Sequence, residues 1–176
     1  MIDLSNQVAF VTGGSRGIGA ATALMLAKAG ADVVISYSSN RIAAQKVVRQ
    51  ISSLGRKTAS FQCNLESYSS CKNTVANIRR KFKRIDILVN SGGIWEYGPF
   101  DKMSPSDWDK TIRINLNGRF NICQAVSRRS DCIYEINCTR TDCGWNLGEW
   151  CRSGRRALRS ARSAVVGARR NLDSRL

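Results

Sequence analysis

The chain has 176 residues, with 28 Lys and Arg against 13 Asp and Glu, a formal net charge of +15 and no His. The length suits one domain, and a composition 43% hydrophobic and 23% charged favours a packed core over global disorder. Without His, Ser-His-Asp triads, imidazole bases and His metal ligands are excluded. No apolar run approaches the ~18 residues of a spanning helix. Met1-Ile2-Asp3-Leu4 lacks the basic start of a signal peptide, so the expected location is cytoplasmic, with no membrane partner.

Short apolar or β-branched runs at Val8–Thr12, Asp32–Ser36, Lys57–Cys63 and Ile85–Asn90 predict four strands, starting 24 to 28 residues apart. Helical patterns fill the gaps. Ala20–Ala29 closes at Gly30 and Arg41–Leu54 at Gly55, each glycine serving as a helix stop. Ser67–Phe82 repeats Cys71, Val75, Ile78 and Phe82 at helical spacing. After Ser104, a cap, and Pro105, suited to a first turn, a helix carries Trp108, Ile112, Leu116, Phe120 and Cys123. Strands alternating with helices predict an α/β, Rossmann-type, doubly wound parallel sheet with right-handed crossovers.

The first strand-to-helix turn, Gly13-Gly14-Ser15-Arg16-Gly17-Ile18-Gly19, carries the most chemistry. Glycines at 13, 17 and 19 permit a tight turn, close backbone approach to a diphosphate and close helix-strand packing. The helix start offers free N–H groups to the phosphates. An acid about 20 residues further on would select NAD through the ribose 2′-hydroxyl, yet none stands between Asp32 and Glu66. Arg16 and Arg41 are available instead for a 2′-phosphate, with Ser38 as a hydroxyl donor. NADP (NADPH) is therefore the expected cofactor, ahead of NAD. Arg41 reads almost equally well as a solvated first-turn residue of its helix.

With these features in order, the chain resembles the short-chain dehydrogenase/reductase family over about residues 1–126, and within it the 3-oxoacyl-[acyl-carrier-protein] reductases. Thr12 through Gly19 is similar to the family's glycine motif. Cys63-Asn64-Leu65 is similar to its adenine-contacting position after the third strand. Asp86 through Gly93 looks like its fourth strand and Asn-Asn-Ala-Gly signature, with departures. Trp108 through Gly118 resembles its fourth helix. The resemblance implies that Gly13, Ser15, Arg16, Gly17, Ile18, Gly19, Ser38, Asn64, Leu65, Asn90 and Gly92 bind the cofactor. It makes Asn115 the catalytic residue that holds a water of the proton relay. Reduction of a 3-oxoacyl thioester or similar carbonyl, as in fatty acid biosynthesis, is the implied reaction. A homotetramer is the implied assembly, though one this chain is not clearly fitted to form.

The resemblance further implies a Ser that binds the substrate carbonyl and a Tyr-x-x-x-Lys pair. The Tyr donates the proton and the Lys lowers its pKa. No Tyr-x-x-x-Lys occurs in the chain, and no Lys follows Lys110. The expected Ser position falls near Cys143-Gly144 and the Tyr near Arg155-Arg156. Arg is a poor substitute for the Lys, because it holds its proton too tightly to relay one. The chain as written is accordingly expected to be inactive.

Composition changes near residue 127. Residues 1–126 hold 9 Arg, 8 Lys and 8 acids, whereas residues 127–176 hold 11 Arg, no Lys and 5 acids. The domains are therefore read as a dinucleotide-binding Rossmann part, 1–126, and an atypical Arg- and Cys-rich segment, 127–176, frameshifted or divergent, which leaves the sheet incomplete. Alternatives are a truncated, non-catalytic NADP-binding module and, less favoured, a basic nucleic-acid-binding arm using Trp145 and Trp150. Acids at 131, 135, 142 and 149 interrupt that arm. Cys132, Cys138, Cys143 and Cys151 lack the tight Cys-x-x-Cys spacing of zinc sites, so no metal is expected.

Overall fold

The computed structural model describes residues 3–94, 99–127, 133–137 and 147–150, the last two segments and Phe100 by their backbone alone. The chain alternates β1 (Val8–Thr12), α1 (Gly17–Lys28), β2 (Asp32–Tyr37), α2 (Arg41–Ser53), β3 (Thr58–Gln62), α3 (Tyr68–Phe82) and β4 (Ile87–Asn90). After a short 3-10 turn at Phe100–Lys102 come α4 (Pro105–Ile112), a π-helical turn (Arg113–Asn117) and α5 (Gly118–Ser127). Strands β5 (Ile133–Asn137) and β6 (Leu147–Trp150) complete the described elements.

The expected strands and helices are present, with ends shifted by a few residues. Side chains of Asn40, Ser67 and Ser104 accept the N–H of Ala43, Ser70 and Asp107 and so cap α2, α3 and α4. Gly30, at φ +103°, takes the left-handed turn that ends α1. The helix expected across Trp108–Cys123 is interrupted: Arg113–Asn117 widens into a π turn between α4 and α5.

The strands form one sheet in the order β3-β2-β1-β4-β5-β6, the doubly wound arrangement. Strands β1 to β5 are parallel, and β6 joins antiparallel. The sheet thus continues past the composition change, for Val89 pairs with Ile136 of β5. The strands β5 and β6 lie in a segment where no strand is predicted from the sequence.

Each strand presents alternate residues to opposite faces. On one face, Ala9, Val11, Val33, Ile35 and Val89 pack beneath Ala23 and Ala27 of α1 and Val47 and Ile51 of α2. On the other, Phe10, Val34 and Leu88 meet Val75 and Ile78 of α3 and Ile122 and Val126 of α5. Strands buried on both faces explain why β1 reads as a nearly unbroken apolar run. Full burial of a side chain such as Phe10 or Ile35 contributes about 1.5–3 kcal/mol. The order reverses between β1 and β4, whose neighbours lie on opposite sides, and the carboxyl ends of such strands are where doubly wound sheets have their binding crevice.

Candidate functional site

The site is built where β1 and β4 end. After Thr12 the chain turns through Gly13, at φ +64°, and Gly17, at φ +55°, into α1. The Gly14 N–H donates to the Ser36 carbonyl at 2.9 Å, fastening the turn to β2. A Cβ on Gly13 would stand 2.7 Å from Cα of Gly92, and one on Gly19 would stand 2.5 Å from the Gly13 carbonyl oxygen. Both neighbours are backbone atoms, so only glycine lets β1, β4 and α1 close to this distance.

At the start of α1, Arg16 makes no side-chain cap. The helix thereby keeps orphan N–H groups and its positive dipole end at the crevice, which suits a phosphate. Ser15 is half-buried in the turn, and Arg16 and Ile18 are exposed on it. Ser38 and Arg41 are exposed just beyond β2. Neither Arg16 nor Arg41 has an ion-pair partner among the described residues. Both guanidinium groups are thus open to an anionic ligand.

Asn64 and Leu65 form the turn after β3. The Asn64 side-chain oxygen accepts the Glu66 N–H at 3.0 Å, so it is engaged within its own turn. Leu65 packs over two glycines: a Cβ on Gly92 would lie 2.8 Å from its Cδ1, and one on Gly118 would lie 2.9 Å from its Cβ. Asn90 is buried, and its amide donates to Cys123 Sγ at 3.2 Å.

Asn115 lies on the π turn, and its carboxamide grips one residue from both sides. Oδ1 accepts the Ile94 N–H at 2.9 Å, and Nδ2 donates to the Ile94 carbonyl at 2.7 Å. These two bonds give a mid-helix Asn, otherwise unfavourable there, a backbone partner outside its own helix. Thus the glycine turn, Asn64-Leu65, Asn90 through Gly92 and Asn115 gather at one end of the sheet. The expected Ser and Tyr positions, near 143–144 and 155–156, lie outside the described residues.

Thr12 is a site residue that the sequence reading overlooked. Buried at the end of β1, its hydroxyl oxygen accepts the N–H of Ser91 at 3.1 Å and of Gly92 at 3.0 Å. Its signal is slight: one hydroxyl closing an otherwise apolar strand.

A family model described as short chain dehydrogenase matches residues 7–131. The chain belongs to the short-chain dehydrogenase family. It is 41% identical over 128 residues to a 3-oxoacyl-[acyl-carrier-protein] reductase of Synechocystis sp., covering 73% of this chain and 52% of that protein. Versicolorin reductase 1 of Aspergillus parasiticus is 35% identical over 125 residues, covering 71% and 48%. A short-chain dehydrogenase of Burkholderia cenocepacia, solved in complex with NADP, superposes with a TM-score of 0.70 at 38% identity. That match covers 75% of this chain and 55% of the other. The chain therefore spans about half the length of the relatives it matches.

Within the short-chain dehydrogenase signature Asn-Asn-Ala-Gly, Asn90 and Gly93 are the kept residues. Ser91 and Gly92 stand at its second and third positions, so Gly92 is a departure from the family pattern that still serves the close approach to Gly13.

Proposed function

We propose that this chain is the dinucleotide-binding half of an NADP-dependent short-chain reductase, and that as written it binds the cofactor without transferring hydride at a useful rate. One observation carries the binding half of this reading: a turn packed too closely at Gly13 and Gly19 for any Cβ, leading into the uncapped N-terminus of α1. The first-turn N–H groups of α1 would hold the diphosphate. Arg16, Arg41 and the Ser38 hydroxyl meet the 2′-phosphate, where the charge-assisted bonds of guanidinium favour NADP over NAD. Asn64 and Leu65 flank the adenine, and Asn115 holds the Ile94 backbone beside the nicotinamide end. When bound, the cofactor supplies a hydride to a carbonyl carbon. The relatives' names point to a 3-oxoacyl thioester or similar substrate.

Turnover needs a proton donor of suitable pKa and a group to tune it, and the chain has no Tyr-x-x-x-Lys. Fluorescence titration tests the binding half: NADPH quenches and shifts on binding, more tightly than NADH, and silence at millimolar cofactor rejects the reading. Activity tests the other half. NADPH oxidation with acetoacetyl thioesters is expected to match that of Asn115→Ala, and a rate well above that control would reject inactivity.

Assembly is proposed on the face of α4, the π turn and α5. Trp108, Leu116 and Phe120 are 51%, 62% and 62% exposed at helical spacing. Such a stripe suits pairing with a second copy of the chain.

A further inference from the structure

Cys63 and Cys71 take no part in the site described above. Cys63 follows β3 and Cys71 sits in the first turns of α3. Both are buried free thiols, and their Sγ atoms are 4.0 Å apart. A disulfide needs its sulfurs at about 2.05 Å, so closing the pair takes about 2 Å of movement, within reach of a side-chain rotation. The eight-residue separation is bridged by the turn that carries Asn64 and Leu65. The Cys71 thiol lies 3.7 Å from both the Asn64 and Leu65 carbonyl oxygens and donates toward them. Leu65 in turn rests on Gly92 and Gly118.

The pair is also chemically asymmetric. The Cys63 thiol donates toward Cys71 Sγ. Once ionised, Cys63 can accept from Cys71 instead, and this contact, with the Thr74 and Ser70 hydroxyls adding to it against the opposing effect of burial, lowers the Cys63 pKa to about 7. The same contact and burial push the Cys71 thiol upward. One sulfur is thus disposed to ionise and attack while its neighbour stays protonated, the division of labour that thiol-disulfide exchange uses.

We propose that Cys63 and Cys71 are a reversible modification site, forming an intramolecular disulfide with a disulfide such as oxidised glutathione as the oxidant. Because Cys63 is buried, the oxidant reaches it during transient opening of the Asn64-Leu65 turn. The Cys63 thiolate attacks one sulfur of the oxidant and expels a glutathione thiolate. Cys71 Sγ, on losing its proton, then attacks the Cys63 sulfur of the mixed disulfide and expels the second. Two thiols lose two electrons and two protons, and the oxidant becomes two molecules of reduced glutathione. The bond withdraws the Cys71 donor from the Asn64 and Leu65 carbonyls and pulls on their turn. Its effect on the cofactor rests on the reading of Asn64-Leu65 as the adenine contact.

Cleavage after Lys57 and Lys72 releases both cysteines in one tryptic peptide, residues 58–72. The full chain is incubated with oxidised glutathione, alkylated under denaturing conditions and digested. The expected peptide is lighter by two hydrogen atoms and carries no alkyl group, and dithiothreitol restores two alkylation sites. Cys71→Ser is expected to leave Cys63 as a stable glutathione adduct. Two alkylated cysteines after oxidant treatment would overturn the proposal, as would a glutathione adduct on Cys63 in the parent chain. In parallel, NADPH affinity is expected to fall several-fold on oxidation and to be insensitive to oxidant in Cys63→Ser, which can form neither the disulfide nor the adduct at that position. A disulfide that leaves the affinity unchanged refutes the coupling, whereas a reduced chain that never binds NADPH speaks against the proposed function and leaves the peptide result standing.

Discussion

The hydroxyl of Thr12 accepts the backbone N–H of Gly92 at 3.0 Å, joining the end of β1 to the turn after β4. The same oxygen accepts the Ser91 N–H, and its own hydrogen points to the Val89 carbonyl at 3.4 Å. Thr12→Val keeps the shape and removes the acceptor, leaving two amides without a partner at a cost of about 1–3 kcal/mol for each that stays buried. Urea unfolding is expected to show a loss of about 2 kcal/mol for Thr12→Val and much less for Thr12→Ser. An unchanged midpoint in Thr12→Val would mean that this bridge does not hold the turn.

Gly17 and Gly19 separate two roles of glycine in one turn. At Gly17 a Cβ meets nothing within 4 Å, although φ is +55°. Gly17→Ala is therefore expected to cost only the left-handed strain, about 1–2 kcal/mol of stability. At Gly19 a Cβ runs into the Gly13 carbonyl at 2.5 Å, so the phosphate cradle must shift. NADPH affinity in Gly19→Ala is expected to drop tenfold or more, about 1.4 kcal/mol, and by less in Gly17→Ala. Equal losses in the two variants would contradict the packing argument.

Arg16 and Arg41 bear on cofactor choice. Both arginines are exposed, where charge interactions are screened. The double variant Arg16→Ala/Arg41→Ala is therefore expected to lose about the worth of a single charge-assisted hydrogen bond, about 1.5–3 kcal/mol, or about 10- to 100-fold in NADPH binding. NADH, without the 2′-phosphate, is expected to bind as before. If both cofactors weaken alike, the arginines do not read that phosphate.

Phe120 tests the apolar stripe on α5, where it is 62% exposed. Phe120→Glu places a charge on a face that self-association would bury. Light scattering at rising concentration is expected to show oligomers of the parent chain and a smaller mass for Phe120→Glu. A monomeric parent would remove the basis for pairing on this face.

The four strands β1 to β4 were legible because each is short, apolar and punctuated by glycine or a capping residue, signals that need no partner to be read. The glycine turn was legible because its spacing between a strand and a helix has one chemical use above others. The break in the Trp108–Cys123 helix was not legible, since its apolar residues keep their spacing through the π turn. Nor were β5 and β6: Ile133–Asn137 has a strand-like Ile-Tyr-Glu-Ile run, but it stands in an Arg- and Cys-rich segment whose composition sets it apart from the preceding fold. Their place follows from the free edge of β4, which pairs with Ile133–Asn137 along four registered residues. The burial of Asn90, whose amide donates to Cys123 Sγ, is likewise set by packing between β4 and α5.

By itself the sequence determined the strand-helix alternation, the fold class, the glycine turn after the first strand and the lack of a Tyr-x-x-x-Lys pair, because each is a local pattern or a simple inventory. The tertiary structure alone decided what meets across long separations. It set the Thr12 hydroxyl under the Gly92 amide, closed Gly13 against Gly92, clamped Ile94 in the Asn115 carboxamide and brought Cys63 to Cys71. Those contacts arise where strands and helices distant in the chain pack on the two faces and at one end of a single sheet, and no local pattern records them.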